Sequence, residues 1–360
     1  MDQAVSINNQ LEIMSDYSAK RPLYQHLCKV VSDLLSALLV ANGIEVHTIS
    51  TRCKESLSLE RKIKSKAKYS GLDEITDLAG IRVITHYNDD VNRVAEVLDR
   101  EFCVDYENTV DKRRATEPDR FGYVSLHYVA SLSETRAGLQ EYISIGSLKF
   151  EIQVRSILQH TWAEIEHDTG YKVEKEVPAQ IRRRFSRLAG LLELADEEFV
   201  AIRDALLNYS QEVVETINSD DPDVSLDKIS LQAFFDRNTI SKAFDEEICA
   251  AVGFELVSRE YDNGPVLQRL NFFQIYTVAS LVKSLKDFHS EILNLGIDMV
   301  AISSIPEKNL VHGSGSFYLC HLLAAKASAE VRQKYLEDNG WAEDNMHTIP
   351  FKKVLMKYTV

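Results

Sequence analysis

Residues 151–172, EIQVRSILQHTWAEIEHDTGYK, read as a strand that runs directly into a helix. Glu151, Gln153 and Arg155 alternate with Ile152 and Val154, so the two-residue period of a strand puts three polar groups on one face and two apolar groups on the other. A strand that only closes a core does not need such a face. Ser156 with Gln159 reads as a capping box. The helix behind it carries Leu158, Trp162 and Ile165 as an apolar stripe, and His160, Glu164, His167 and Tyr171 as a polar one. Polar side chains therefore converge where the strand ends and the helix begins.

Upstream, Pro22 opens a helical pattern through Leu23, Leu27, Val30, Val31, Leu34, Leu35 and Leu38, which Asn42-Gly43 closes. The strand-like IEVHTIST then delivers Arg52 and Lys54, and Ser56 or Ser58 caps a helix bearing Arg61, Lys62, Lys64, Lys66 and Lys68. Arg52 and Lys54 precede that helix and sit at its amino end, where free N–H groups and the dipole favour anions, so phosphate is expected there. Lys64, Lys66 and Lys68 read as a solvated face. In DEITDLAGIRVITHY, Asp77 and Gly80 lead into a core strand with Ile81 and Val83 on one face and Arg82 and Ile84 on the other. An acid before such a strand forms a turn, or holds Mg²⁺, which takes one or two carboxylates and fills its remaining positions with water and phosphate. Residues 91–102 form an amphipathic helical pattern, and the charged DKRRATEPDR follows. In FGYVSLHYVA, Tyr123, Ser125 and His127 share one face and Val124, Leu126 and Tyr128 the other, a surface suited to base stacking and phosphate contact. Residues 142–155 read as a hairpin turning at Gly146-Ser147.

Strands alternating with helices, with one antiparallel pair, imply an α+β class: a mixed β-sheet flanked by helices over residues 1–218. A long helical pattern after Pro178 breaks at NSDDPD, which places the domain boundary near Asp220 to Asp223, a linker at 219–228 and a smaller, mainly helical domain at 229–360. In that domain 272–295 reads as one helix capped by Gly296, and MVAIS as extended; its function is not legible. At 360 residues and 45% hydrophobic content the chain can fill two cores. A net charge of −14 argues against whole-surface nucleic-acid binding and against DNA as a partner, while leaving room for a local basic groove. Cys28, Cys53, Cys103, Cys249 and Cys320 form no CxxC pair, which suits buried thiols in a reduced compartment. The amino-terminal stretch lacks a signal-peptide pattern and no segment reads as a bilayer span, so a cytoplasmic protein without a membrane partner is expected.

Arg52-x-Lys54, Ser58, Lys62, the DxxGxR of 77–82, the GYxSxH of 122–127, the EIQxR of 151–155 and W-x-x-x-x-H-x-x-x-Y-K ending at Lys172 occur in that order. Together they resemble the synthetase domain of the RelA/SpoT alarmone synthetases, in a synthetase-only form, over residues 23–215. The resemblance implies a nucleotidyltransferase-like fold and GTP pyrophosphokinase activity, in which a pyrophosphoryl group passes from ATP to the ribose 3′-hydroxyl of GDP or GTP. It implies that Arg52 and Arg82 sandwich the adenine, that Lys54, Ser58 and Lys62 hold ATP phosphates, and that Asp77 binds Mg²⁺, with Mn²⁺ as a substitute. By the same resemblance Tyr123 stacks on the acceptor base and His127 contacts its phosphate or ribose. Glu151 is then the second acid, for metal and for the hydroxyl proton, with Gln153, Arg155, His167 and Lys172 in support. Arg52, Lys54, Asp77 and Glu151 form the expected catalytic set. No glycine-rich phosphate loop is present, and arginines and lysines can clamp the phosphates instead.

Family members carry PKxNGYxSLH before the stacking tyrosine, whereas this chain reads EPDRFGYVSLH, with Phe121 in place of the asparagine. That leaves the acceptor open between guanosine nucleotides, adenosine nucleotides and the 3′ end of tRNA. A non-catalytic nucleotide sensor is the alternative from another class, and His160, Glu164 and His167 are a metal-site alternative. The His167-Asp168 pair lies inside the synthetase helix, so no hydrolase activity is expected. A homo-oligomer is expected, and Arg182 to Arg184 serve as a helix surface, a self-association face or a tRNA contact.

Overall fold

The computed structural model describes residues 2–66, 68–111, 125–168, 178–219, 224–258, 262–302 and 308–359. They form two compact units, Met1–Arg203 and Asp204–Val360. The first contains α1 (Asp2–Ala41), β1 (Val46–Cys53), α2 (Ser56–Lys66), β2 (Ala79–Thr85), α3 (Asp90–Glu101), β3 (Phe102–Val104), β4 (Val110–Asp111), β5 (Leu126–Leu132), α4 (Glu134–Ala137), β6 (Phe150–Ser156), α5 (Ile157–Asp168) and most of α6 (Ala179–Thr216). The strands order as β1-β2-β6-β5-β3, with β4 also on β5. β2 and β6 run parallel and the other pairs antiparallel, which makes the sheet mixed, as expected. Ile81, Val83, Ile152 and Val154 are buried on one face. Leu27, Val31, Leu35 and Leu39, four residues apart along α1, join the same core, and α1 packs on β1 and β2.

Three readings are corrected in this unit. Pro22 lies inside α1 and does not open it. An interior proline costs about 3 kcal/mol of helix stability, but Ile13 and Tyr17 upstream are buried in the same core and hold the earlier turns in register. Asn42-Gly43 does end the helix, with Gly43 in the left-handed region at φ +62. Within α1, residues Asn9–Ala41 are long and apolar enough to span a bilayer, contrary to the sequence reading; one face of this helix is taken up by the core. Residues 142–155 are not a hairpin. Ile145 is buried in a tight turn in which its N–H and that of Gly146 both donate to the Tyr142 carbonyl. Both edges of β6 are already paired, to β2 and to β5, so no local partner strand can be added.

The second unit holds α7 (Lys228–Arg237), α8 (Thr239–Val252), β7 (Glu255–Val257), α9 (Gly264–Phe272), α10 (Val278–Asp287), α11 (His289–Ile302), β8 (Asn309–Val311), α12 (Ser314–Lys326), α13 (Ala329–Asp338) and α14 (Thr348–Met356). It is mainly helical, with β7 and β8 paired in parallel. The residues expected as one helix at 272–295 are broken by a capping box between Thr277 and Ser280 that starts α10, and again at Phe288. Gly296 lies inside α11 and caps nothing. A Cβ there would sit 3.1 Å from the Tyr318 ring, so the glycine permits close helix packing. MVAIS is helical as far as Ile302, not extended. The division between units falls within α6, because Val213 and Ile217 are buried in the second core, together with Val224 and Leu226. The expected boundary at Asp220 to Asp223 lies outside the described residues.

Candidate active site

Strand pairing lines up the polar face in two rows. Arg52 on β1 pairs with Gly80 on β2, Gly80 with Glu151 on β6, and Glu151 with Val129 on β5. One step along, Ser50, Arg82, Gln153 and His127 align in the same way. Residues paired across a sheet share a face, so Arg52, Arg82, Glu151, Gln153, Arg155 and His127 all project opposite the buried Ile81, Val83, Ile152 and Val154. Gly80, without a side chain, leaves open floor between Arg52 and Glu151.

Asp77 lies just before β2, where the Lys54 N–H donates to the Leu78 carbonyl. Its carboxylate is held by two ammonium groups, Lys54 Nζ at 2.7 Å and Lys62 Nζ at 2.8 Å. Burial pushes the Asp77 carboxyl up, yet the hydrogen bonds and charges of Lys54 and Lys62 outweigh it and hold the group below its ordinary value. Glu151 follows the same logic on the neighbouring strand. Burial raises it and the charge of Asp77 adds to that, yet the hydrogen bond and charge of His127, 2.6 Å away, together with Gln153, outweigh both. The two acids are thus ionised and sense each other. From Glu151 a polar chain continues along the strand: Gln153 Nε2 donates to Glu151 Oε2 at 3.3 Å, and Arg155 Nη2 donates to Gln153 Oε1 at 3.2 Å.

Beside the acids lies concentrated positive charge. Burial lowers the Arg155 guanidinium, and the charge of Arg82 adds to that lowering. Its Nε is buried with no hydrogen-bond partner among the described residues. His160 is lowered by burial and then by Arg82. Glu164 on α5 meets Arg82 at 3.1 Å, and Glu164, Glu151 and Glu166 raise Arg155 in turn. Two guanidinium groups side by side next to a carboxylate pair suit a polyphosphate.

Local capping fixes α5 against this face. The Ser156 N–H donates to Gln159 Oε1 at 3.0 Å and the Gln159 N–H to Ser156 Oγ at 3.1 Å, the reciprocal pair expected from the sequence. Gln159 Nε2 also donates to Asn88 Oδ1 at 2.8 Å, and Ser156 Oγ donates to Asp196 Oδ2 of α6 at 2.7 Å. Trp162 is buried as expected, whereas Ile165 is largely exposed.

The structure therefore brings together Asp77, Lys54, Lys62, Arg82, His127, Glu151, Gln153 and Arg155. Arg52 is exposed at the end of β1 in the same row. Ser58 stands one helical turn before Lys62 on α2, with Arg61 Nη2 3.5 Å from its Oγ. His167 is exposed in the last turn of α5. Tyr123 and Lys172 lie outside the described residues. Sequence reasoning missed two participants. Glu164 as the Arg82 partner carried only the signal of sharing the polar stripe of α5, and Ser125, 2.5 Å from His127 Nε2, carried the signal of an i, i+2 position on one strand face.

Among the described residues no three His, Cys, Asp or Glu side chains gather into a metal-binding group, and His160, Glu164 and His167 do not form one. A cation at this face would take its protein oxygens from Asp77 and Glu151, whose charges act on each other. Two ionised carboxylates fit Mg²⁺, which usually completes its shell with water and phosphate.

Residues 51–176 match a family model described as a region found in RelA/SpoT proteins. GTP pyrophosphokinase YwaC of Bacillus subtilis (strain 168) is 25% identical over 213 residues, covering 56% of this chain and 98% of the relative. GTP pyrophosphokinase YjbM of the same organism is 27% identical over 162 residues, covering 44% of this chain and 72% of the relative. The crystal structure of small alarmone synthetase 2 from Bacillus subtilis is similar with a TM-score of 0.45 and 23% identity, over 53% of this chain and 99% of that one. The row of Arg52, Gly80 and Glu151, with Asp77 beside it, falls inside the matched residues 51–176.

Proposed function

We propose that this chain is a GTP pyrophosphokinase, transferring the β,γ-pyrophosphoryl group of ATP to the ribose 3′-hydroxyl of GDP or GTP, with AMP as the leaving product and (p)ppGpp as the alarmone formed. The observation that carries the reading is the ionised Asp77–Glu151 pair set against the Arg82–Arg155 cluster, inside a region whose relatives are named for this activity.

Phosphoryl-group chemistry of this kind depends on alignment and electrostatics more than on covalent help from the protein. Arg52 and Arg82, diagonal neighbours on β1 and β2, take the adenine, and Lys54, Lys62 and Ser58 take donor phosphates. Lys54 and Lys62 leave the Asp77 carboxylate for phosphate oxygens as ATP binds. Asp77 and Glu151 would hold Mg²⁺ or Mn²⁺, which when bound would offset the charge of the donor phosphates. Glu151 accepts the proton of the attacking hydroxyl through Oε2, the oxygen with the longer contact, from Gln153. Gln153, Arg155, Tyr123, His167 and Lys172 serve the acceptor in this reading, and His127 is held between Ser125 and Glu151 beside them. On this reading the chain works in the cytoplasm, where ATP and GTP are at hand.

Transfer from ATP to GDP in the presence of Mg²⁺ tests the proposal. Asp77→Ala and Glu151→Gln should each lower the rate by about 10³-fold while the folded signal by circular dichroism stays unchanged. Near-full transfer by Asp77→Ala would sink the assignment.

A further inference from the structure

Ser125, His127 and Glu151 are joined in one line of hydrogen bonds across β5 and β6. Ser125 Oγ lies 2.5 Å from His127 Nε2, and His127 Nδ1 lies 2.6 Å from Glu151 Oε1. Ser125 and His127 are two residues apart on one face, and His127 stands diagonally across from Glu151, next to its register partner Gln153. Ser125 is buried, and the side chains of His127 and Glu151 are only 15% and 19% exposed, so water competes little for these contacts.

The connectivity of serine, histidine and acid is that of a nucleophilic triad. The burial of Ser125 and its position at the closed end of the line assign it a different task. An ionised carboxylate only accepts, so Nδ1 carries the proton facing it. The other ring nitrogen, Nε2, meets the Ser125 hydroxyl, so both ring nitrogens are held. The opposite tautomer would set the Nδ1 lone pair against the carboxylate and leave Glu151 Oε1 without its short donor. Carboxylate Oε1 is thereby committed to the imidazole, and Oε2, with its weak 3.3 Å contact from Gln153, is the oxygen left to face the cleft.

We propose that Ser125 and His127 are positioning residues: the Ser125 hydroxyl fixes the His127 ring, and the fixed ring holds Glu151 Oε1 through Nδ1–H so that Oε2 meets the acceptor hydroxyl. The proposal rests on the pyrophosphokinase reading for the identity of that hydroxyl. In the step it serves, the acceptor O–H bond breaks and its proton goes to Glu151 Oε2. The acceptor oxygen bonds the β-phosphorus, the bond from that phosphorus to the bridging oxygen of the α-phosphate breaks, and AMP leaves with those electrons. His127 keeps its own proton throughout. Partners that orient a working carboxylate in this way typically contribute about 10-fold to 100-fold in activity.

The test uses the full chain and has an arm that needs no turnover. Imidazole ¹⁵N spectra of the nucleotide-free protein, with the His127 resonances identified by difference against His127→Asn among the 10 histidines, should show a protonated Nδ1. Ser125→Ala should shift the Nε2 resonance, and Glu151→Gln should shift the Nδ1 resonance. In transfer assays Ser125→Ala should lower kcat about 10-fold with KM for both nucleotides within about 2-fold, and Ser125→Thr, which keeps the hydroxyl, should restore it. An unprotonated Nδ1 in the unaltered protein would overturn the proposal, as would Ser125→Ala with unchanged kcat or with a loss confined to acceptor KM. If no nucleotide serves as acceptor, the pyrophosphokinase reading falls alone, and the spectra still decide whether the line of hydrogen bonds exists.

Discussion

The two units treat a buried acid in opposite ways. In the first, Asp77 and Glu151 are partly buried but stand beside Lys54, Lys62 and His127, and both titrate below their ordinary values. In the second, Asp245 on α8 is fully buried and meets backbone donors, the N–H groups of Gly313 at 2.7 Å and Gly315 at 2.8 Å at the start of α12. Burial pushes its carboxyl up to about 6, and these N–H groups only partly counter it. The carboxylates of the first unit are kept ionised by neighbouring side chains, Lys54 and Lys62 at Asp77 and His127 at Glu151. A charge that ties one helix to another is placed where nothing replaces its partners. Gly313, at φ +90, and Gly315, where a Cβ would lie 3.1 Å from Phe244, let the backbone come that close.

The contrast breaks first in activity. Asp77→Ala and Glu151→Gln should cost about 10³-fold, or about 4 kcal/mol of transition-state stabilisation, with little change in the melting of either unit. Next in size is Asp245→Ala, which strands two buried N–H groups and should destabilise the second unit by about 2–4 kcal/mol without touching the residues of the first. The chain has two tryptophans, Trp162 in the first unit and Trp341 in the second, so denaturation followed in single-tryptophan variants reads each unit separately.

The pH response should differ in sign. Asp245 keeps its proton in the folded unit at pH values where the unfolded chain, near 3.8, has lost it. The stability of the second unit should therefore fall as pH rises from about 3.8 to about 6, by about 2–3 kcal/mol, and level off above. Asp77 and Glu151 act in reverse, because their folded values lie below the ordinary 3.8 and 4.5. Their contribution is complete above those values and is lost as pH falls through the folded ones. Asp245→Asn should flatten the slope of the second unit alone; a slope that persists in this variant would refute the assignment. The smallest effect expected is Lys62→Met, which should change the stability of the first unit by no more than about 1 kcal/mol, because Lys54 still holds Asp77, while weakening KM for ATP.

What the sequence made legible was whatever a short window contains. The polar strand face, the Ser156–Gln159 box and the acids at 77 and 151 each declare themselves within a few residues, and all stand where periodicity put them. The hairpin at 142–155 failed because its Gly-Ser turn signal is local, whereas the neighbours of β6 arrive from β2 and β5, far along the chain. Pro22 misled for a related reason, since the buried face of α1 continues upstream through Tyr17 and Ile13. Gly296 looked like a helix stop, but its role is set by Tyr318 on another helix. The roles of Ser125 and Asp245 were out of reach for the same reason. Each depends on a partner on another element, Glu151 through His127 for one and the amino end of α12 for the other.

The most direct measurement incubates the purified chain with γ-labelled ATP and Mg²⁺ and, in separate reactions, GDP, GTP, AMP, ADP, unlabelled ATP and bulk tRNA, and asks which acceptor becomes labelled. Label on GDP and GTP, removed by Asp77→Ala and Glu151→Gln, is the predicted result. Label on tRNA or on adenosine nucleotides alone, or nucleotide binding with no transfer to any acceptor, would contradict it.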